Sequence, residues 1–160
     1  GKIADNPFKL IGDDWMLITA GAPTGFNMMT ASWGGLGVLW GKEVCFCFVR
    51  PERYTYGFME KAEIFTLTFF KEEDRAILEL CGTKSGRDLD KVAATGLTVI
   101  PSPGGSVYFT EARLALECKK IYYQDLNPLY FLDKEIQQHY KVDGYHRMYV
   151  GEILRCLSKE

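Results

Sequence analysis

The nine residues from Asn27 to Gly35, with the sequence NMMTASWGG, combine groups that suit recognition of a planar polar ligand. They supply an amide, two thioethers, two hydroxyls and an indole, and they lie between the strand-like runs WMLITAG and VCFCFV. A buried strand is built mainly from branched and aromatic apolar side chains, whereas a turn needs only a few glycine, proline or Asx residues. The segment fits neither description, so its polar groups require another explanation.

Strand geometry divides this segment into two rows of side chains, because successive side chains point to opposite faces of a strand. One row is able to pack against the core while the other meets a ligand. The first row is Asn27, Met29, Ala31 and Trp33, and the second is Met28, Thr30 and Ser32. The neighbouring glycines would let the backbone approach a heterocycle closely. The alternative is a bulged strand at a barrel corner, whose hydroxyls bond to neighbouring backbone.

A second cluster, in the sequence FVRPERYTYG, has the composition of a phosphate site. Arg50 and Arg53 flank Pro51, which we expect to start a helix over residues 51–61, and Thr55 lies in the first turns of that helix. Free N–H groups at a helix N-terminus, guanidinium groups and a hydroxyl bind phosphate through charge and hydrogen bonds. The alternative is a solvated, charged helix start.

A third cluster, TKSGRDLDK, precedes a predicted helix over residues 85–95. Ser85 is its expected cap and Gly96 its expected end. Arg87 and Lys91 add positive charge to the same segment. By itself, this pattern is better explained by a capped helix with an exposed charge pair.

The composition indicates a globular chain that forms one domain, residues 1–160. Hydrophobic residues make up 47% and charged residues 25% of the 160, and the net charge is −2. A chain of this length buries a substantial core without disulfides or metal. Because the charge is balanced and no stretch approaches the roughly 20 apolar residues of a membrane span, we expect neither a nucleic acid nor a membrane as partner.

The cysteines and histidines indicate a reducing compartment and no metal site. The five cysteines form no CxxC pair, which is typical of reduced thiols in a cytoplasmic protein. Cys45 and Cys47 share one face of a strand, and we interpret them as core residues. Neither His139 nor His146 has a further ligand at metal-binding spacing.

The hydrophobic pattern predicts many strands and few, short helices. The remaining helices are expected over residues 72–80, ending at Gly82, and from Asn127 to about residue 140. The strands are expected over residues 14–21, 27–33, 42–49, 64–70, 96–100, 112–123 and 148–157. Since they do not alternate regularly with helices, the expected fold is mainly β, a closed or nearly closed antiparallel barrel with peripheral helices.

Taken in order, these segments resemble the flavin reductase-like family, the FMN-binding split-barrel proteins that include flavin reductases, ferric reductases and flavoredoxins. The resemblance covers nearly the whole chain. Its most specific pieces are NMMTASW, RPERYT, SGRDLDK followed by AATGLT, ARLALECK and YHRMYVGEI. Each piece is weak alone, but five in the family's order are specific.

The resemblance implies an antiparallel split β-barrel that binds FMN at the interface of a homodimer. The flavin ring would lie along the first segment, and the phosphate would bind near the arginine-threonine helix start. Lys91 would reach the ring or the phosphate, and His146 would approach from the late strand, within one protomer or across the dimer; both are candidate catalytic residues. By position, the implied cofactor-binding residues are Asn27, Met29, Thr30, Ala31, Ser32, Trp33, Arg50, Arg53, Thr55, Lys91 and His146. Without the resemblance, we interpret His146 as a structural histidine at the start of a strand, with its hydrogen bonds made within the protein.

Two functions follow from the resemblance. The first is an NAD(P)H-dependent reductase that passes electrons to flavin, iron or another small acceptor, with NADH or NADPH as a transient donor because the sequence has no GxGxxG motif. The second is a flavoredoxin-like carrier that exchanges electrons with a redox protein. A remoter reading is another planar ligand, haem or F420, and the paired arginines favour a phosphate-bearing flavin over haem. The aromatic segment is the stretch after Asp125 and before His146, with Tyr130, Phe131 and Tyr140. Its rings would cap the flavin or belong to the core.

Overall fold

Seven antiparallel strands form one curved sheet in the computed structural model, which describes residues 3–159. The strand order is β2-β1-β5-β8-β9-β4-β3, so β2 and β3 are the two open edges. The seven are β1 Met16–Ala22, β2 Gly25–Ala31, β3 Gly34–Leu39, β4 Lys42–Val49, β5 Ile64–Phe69, β8 Leu114–Asp125 and β9 Arg147–Ser158. A separate hairpin consists of β6 Val99–Pro101 and β7 Val107–Phe109. This architecture confirms the mainly β, antiparallel split barrel that the sequence predicts.

The helices are short and lie around the sheet. They are α1 Tyr54–Lys61, α2 Arg75–Thr83 and α3 Lys91–Thr95. A π-helical turn, Lys9–Asp13, precedes β1, and 3-10 turns cover Glu72–Asp74, Pro128–Tyr130 and Lys134–Tyr140. Within residues 3–159, no helix is long and apolar enough to cross a membrane.

The period of two along the strands sends neighbouring residues into two different cores. Ile18 and Met29 point into the barrel, whereas Leu17 and Met28 pack on the outer core against α2. Both methionines of β2 are therefore almost fully buried, at 1% and 4% exposure. Burial on both faces fixes β2 firmly in the sheet although one of its edges is open.

Predicted helix boundaries were wrong where a polar turn precedes the helix. Pro51 lies in a turn closed by the Arg53 N–H donating to the Arg50 carbonyl, and Arg53 stays extended, so α1 begins at Tyr54. Asp90, and not Ser85, caps α3, because its carboxylate accepts from two first-turn N–H groups. Consequently, residues 85–90 form a loop and not the first turns of a helix.

Other differences concern the ends of helices and strands, several of them at glycines. The helix α2 continues through Gly82 to Thr83, so the predicted stop there was wrong, whereas Gly96 ends α3 in a left-handed conformation as predicted. The glycine-rich β3 was missed because it lacks the usual apolar alternation. The strand β2 ends at Ala31, which leaves Ser32 and Trp33 beyond the strand.

The segment from residue 127 to residue 140 is not the continuous helix that was expected. Asn127 caps as predicted, but only a 3-10 turn follows, and a second 3-10 turn begins after Asp133, whose side chain accepts from the Glu135 N–H. Its side chains lie mostly in solvent, so burial of an apolar helix face does not stabilise a longer helix here.

Gly151 of β9 is a position where added volume is costly. A Cβ there would lie 2.6 Å from the Phe65 ring and 3.0 Å from the Cys45 sulfur. We expect Gly151→Ala to lower the free energy of unfolding by about 1–3 kcal/mol, because the barrel core is close-packed. Urea denaturation measures this loss. The control is Gly12→Ala, which has no atom within 4 Å of the new Cβ and should be neutral or slightly stabilising. Equal effects of the two substitutions would contradict the packing argument.

Candidate functional site

The open edge of β2 presents unpaired main-chain groups. The two-residue turn between β1 and β2 makes Ala22 and Gly25 the closing hydrogen-bonded pair, so Asn27, Met29 and Ala31 direct their main-chain groups toward β1. The main-chain groups of Met28 and Thr30 then face away from the sheet. An edge of this kind offers donors and acceptors in a row, which suits the polar edge of a planar ligand.

Lys91 lies against this edge with only 4% of its surface exposed. Its ammonium donates to the Met28 carbonyl at 2.7 Å and to the Cys81 carbonyl at 3.0 Å, which joins β2 to the end of α2. Burial lowers the pKa of Lys91 to about 8. The group is therefore still mainly charged at pH 7, and its third N–H is available to the adjoining pocket, which Lys91 helps to line.

Asn27 connects β2 to the start of α1. Its amide donates to the Thr55 hydroxyl at 2.8 Å, and both side chains are buried. Gly86 packs against the same amide, since a Cβ at Gly86 would lie only 2.3 Å from the Asn27 side-chain oxygen. Only glycine allows the loop after α2 to approach β2 this closely. The sequence did not reveal this role of Gly86.

A pocket of about 260 Å³ opens between the start of α1, the loop after α2 and Lys91. Arg53 and Thr55 line it. Because Thr55 accepts from Asn27, its own hydroxyl hydrogen is left to donate. The first N–H groups of α1 are at the same place and carry the positive end of the helix dipole. The pocket thus gathers donors and positive charge suited to an anion.

The two predicted phosphate arginines have different surroundings. Arg50 donates to the His139 carbonyl at 2.8 Å and to the Gly144 carbonyl at 3.3 Å, and it lies over the Tyr140 ring at 4.9 Å. Its guanidinium is thus occupied by the segment before β9. Among residues 3–159, the guanidinium of Arg53 makes no hydrogen bond and no ion pair. Burial, with the charge of Arg50 in addition, lowers the pKa of Arg53.

His146 is buried within a group of aromatic rings. The ring centroid of Trp33 lies 5.4 Å from that of His146 and 5.1 Å from that of His139. The Tyr140 hydroxyl lies 2.7 Å from His146 Nδ1. Burial, together with the positive charge of Arg50, lowers the pKa of His146 to about 4, so the imidazole is neutral at pH 7.

Arg53 places the two halves of the predicted site in one electrostatic environment. Burial is the main cause of the lowered pKa of Lys91 and of His146, and the positive charge of Arg53 adds to both shifts. Charges act over a limited distance in water, so all three groups belong to one neighbourhood. The fold thereby brings together residues that are up to 93 positions apart between Arg53 and His146.

Several predicted site residues serve the packing of β2. Met29 and Ala31 pack in or against the barrel core, and the Thr30 hydroxyl donates to the Leu78 carbonyl of α2. Ser32 is half-buried just beyond the strand. Glu52, which was not singled out from the sequence, accepts from the Gly144 N–H at 2.8 Å and anchors the aromatic segment beside the site.

The cysteines lie mainly in the packed interior. Cys45 and Cys47 are fully buried, which confirms their interpretation as core residues. The sulfurs of Cys45 and Cys118 are 3.7 Å apart, and no disulfide joins any of the cysteines within residues 3–159. Residues 3–159 contain no group of three or more metal-binding side chains placed to hold an ion.

Comparisons with known proteins agree with this architecture. A family model described as the flavin reductase like domain matches residues 10–160. A comparison with curated protein sequences gives no match.

Solved structures share the fold. The FMN-binding protein from Thermus thermophilus with bound 1-cyclohex-2-enone superposes with a TM-score of 0.72 at 18% identity, covering 99% of this chain and 79% of that one. The flavoredoxin of Desulfovibrio vulgaris (Miyazaki F) gives 0.72 at 22% identity, covering 91% and 69%. The flavoredoxin from Methanosarcina acetivorans gives 0.71 at 21% identity, covering 100% and 76%.

The low pKa of His146 predicts a loss of stability in mild acid. The unfolded chain takes up a proton near the ordinary pKa of 6.5, whereas the folded protein takes it up only near 4. The contribution of the neutral His146 to the free energy of unfolding is therefore complete above pH 6.5 and is lost as the pH falls toward 4. Between pH 7.5 and pH 5, we expect the protein to lose about 2 kcal/mol relative to His146→Gln. Urea denaturation at both pH values measures the difference. His139→Gln is the control and should retain the pH dependence of the unsubstituted protein, and a dependence that His146→Gln leaves unchanged would contradict the assignment.

Proposed function

The chain belongs to the flavin reductase-like family, and from this premise we propose that it is an FMN-binding oxidoreductase that reduces flavin or iron with NADH or NADPH. The observation that carries the proposal is the pocket at the start of α1. It contains the half-buried guanidinium of Arg53, which has no hydrogen bond and no ion pair among residues 3–159, and it adjoins the open edge of β2. A flavin mononucleotide needs both an anion site and a polar edge of this kind.

The phosphate of FMN suits the donors of this pocket. Arg53 would form the charge-assisted hydrogen bonds, the free hydroxyl hydrogen of Thr55 would add a donor, and the first N–H groups of α1 would complete the site. Burial is the main cause of the lowered pKa of Arg53 and of Lys91, and a bound anion would stabilise the charged form of both groups. Arg50 would support the site indirectly, because it holds the segment that lies beside it.

The flavin ring suits the row from Met28 to Trp33. Main-chain groups of Thr30 would bond the polar edge of the ring, and Trp33, which is 45% exposed, would supply an apolar contact. Lys91 would place positive charge beside that edge and favour the reduced, anionic form of the flavin. His146 would donate or accept a hydrogen bond at the opposite side as a neutral imidazole. Bound FMN supplies the hydride and electron transfer chemistry, which the side chains of this chain do not.

The electron donor would bind transiently. The sequence lacks the GxGxxG turn of a permanently held dinucleotide, so the nicotinamide would bind over the exposed face of the ring. Cysteines without a disulfide among residues 3–159 suit a reducing compartment, and we propose that the protein is cytoplasmic. Trp40 and Tyr122 contact each other and remain 59% and 42% exposed, which supports assembly into a homodimer.

The direct test is the visible absorption spectrum of the purified protein before and after addition of FMN, NADH and NADPH under anaerobic conditions. We expect a flavin band that bleaches promptly with one of the two nicotinamide donors. A flavin band that persists with both donors and bleaches with dithionite would instead indicate an electron carrier like the flavoredoxins. The absence of a flavin band, before and after incubation with FMN, would refute the cofactor assignment.

Substitution of Arg53 tests the phosphate site. Arg53→Gln should weaken FMN binding about 10- to 100-fold, since a charge-assisted hydrogen bond contributes roughly 1.5–3 kcal/mol. Binding of riboflavin, which lacks the phosphate, should not change. Flavin fluorescence titration measures both affinities.

The control for the lost charge is Lys71→Gln, because Lys71 is exposed and lies outside the pocket. It should leave FMN binding unchanged. Equal weakening of FMN and riboflavin by Arg53→Gln would show that Arg53 supports the fold and does not hold the phosphate.

A further inference from the structure

Tyr140 belongs to a cluster of rings formed by the segment between β8 and β9. Its ring lies 5.8 Å from that of Phe131, 4.7 Å from that of Tyr145 and 5.4 Å from that of His146. Arg50 covers its ring at 4.9 Å and also bonds to two carbonyls of the segment. The position of Tyr140 is therefore fixed from several sides although the segment has no regular helix.

The hydroxyl of Tyr140 has one partner among residues 3–159, the Nδ1 atom of His146 at 2.7 Å. The proton of this hydrogen bond lies either on the tyrosine oxygen or on Nδ1. If the imidazole donated, the tyrosine proton would have no acceptor among these residues. If the hydroxyl donates, its proton is accepted by Nδ1, which is a strong acceptor. The arrangement in which Tyr140 donates to His146 is therefore favoured.

This arrangement determines the other nitrogen of His146. When Nδ1 accepts, the single proton of a neutral imidazole is on Nε2. Within the described part of the chain, Nε2 has no hydrogen-bond partner, and besides Tyr140 the rings of Trp33 and Phe48 lie 5.4 and 6.3 Å from the His146 ring between centroids. The ring that carries this N–H donor thus lies next to Trp33, which the proposed function places at the flavin ring.

We infer that Tyr140 is a positioning residue that holds His146 as the Nε2–H tautomer, so that the histidine donates a hydrogen bond to an acceptor atom of the bound flavin. The inference rests on the proposed function for the identity of the ligand. Its first part, the tautomer, is a property of the protein without ligand. Tyr140 lies in the segment that Arg50 and Glu52 attach to the barrel, so these two residues indirectly support the same donor.

Nitrogen NMR of the histidine rings tests the tautomer in the protein without FMN. The chain has only two histidines, and His139→Gln assigns the signals of His146. At pH 7.5, we expect His146 to be the Nε2–H tautomer, and Tyr140→Phe to produce a mixture of tautomers. An Nδ1–H tautomer in the unsubstituted protein would overturn the inference, and that outcome does not depend on whether the variant folds.

Tyr145→Phe is the matched control. It removes a hydroxyl from the same ring cluster, one that bonds to Gln137 at 2.6 Å and not to His146. It should keep the Nε2–H tautomer of the unsubstituted protein. If Tyr140→Phe also keeps it, Tyr140 does not select the tautomer and the inference fails.

A second measurement connects the tautomer to the ligand. Tyr140→Phe should weaken FMN binding about 3- to 10-fold, and it should have no such effect in a protein that already carries His146→Gln. Equal effects in both backgrounds would show that Tyr140 acts on the flavin without His146. A protein that binds no FMN would refute the proposed function. The NMR experiment would still test the tautomer, because it is carried out without FMN.

Discussion

The open edge of β2 is the constraint on which the site depends. A barrel that does not close has edge strands with a row of main-chain donors and acceptors that the sheet does not pair, and such a row must be covered or bind a partner. Lys91 covers part of it by donating to the Met28 carbonyl, and the Thr30 hydroxyl fastens the same strand to α2. The remaining groups lie next to an anion pocket. Structure and proposed ligand binding thus use the same unpaired edge.

Positive charge is concentrated at this edge although the chain as a whole carries a net charge of −2. Burial is the main cause of the lowered pKa of Lys91 and of His146, and the positive charge of Arg53 adds to both shifts. At pH 7 the imidazole of His146 is neutral, so the repulsion is between Arg53 and Lys91. Repulsion of this kind is tolerated because the rest of the fold determines the positions of the groups. A bound anion would relieve it, so the electrostatic strain of the free protein and its expected affinity for a phosphate have one origin.

The two arginines of RPERYT have different roles in the structure. The turn that precedes α1 directs Arg50 toward the aromatic segment and leaves Arg53 at the pocket. Glu52, between them, bonds to the same segment through Gly144. A single four-residue turn therefore joins the anion pocket to the ring cluster around His146. The sequence between β8 and β9, which has little regular structure, becomes part of the site through this turn.

The sequence by itself determined the strands and the order of the motifs. Alternation of apolar residues depends only on neighbours in the chain, and β4 was predicted over its full length, residues 42–49. The antiparallel barrel followed because those strands have no helices regularly between them. The five family motifs are also local strings, so their presence and order were readable without a structure.

Only the tertiary structure decided what each polar residue does. Pro51 suggested an earlier start of α1, and Ser85 an earlier start of α3, but a turn closed by the Arg53 N–H precedes α1, and Asp90 caps α3. The separate roles of Arg50 and Arg53 depend on carbonyls about 90 residues away. The burial of Lys91 and the hydrogen bond between Tyr140 and His146 also require elements brought together by folding. Side-chain chemistry is local, but the partners that give it a role are not.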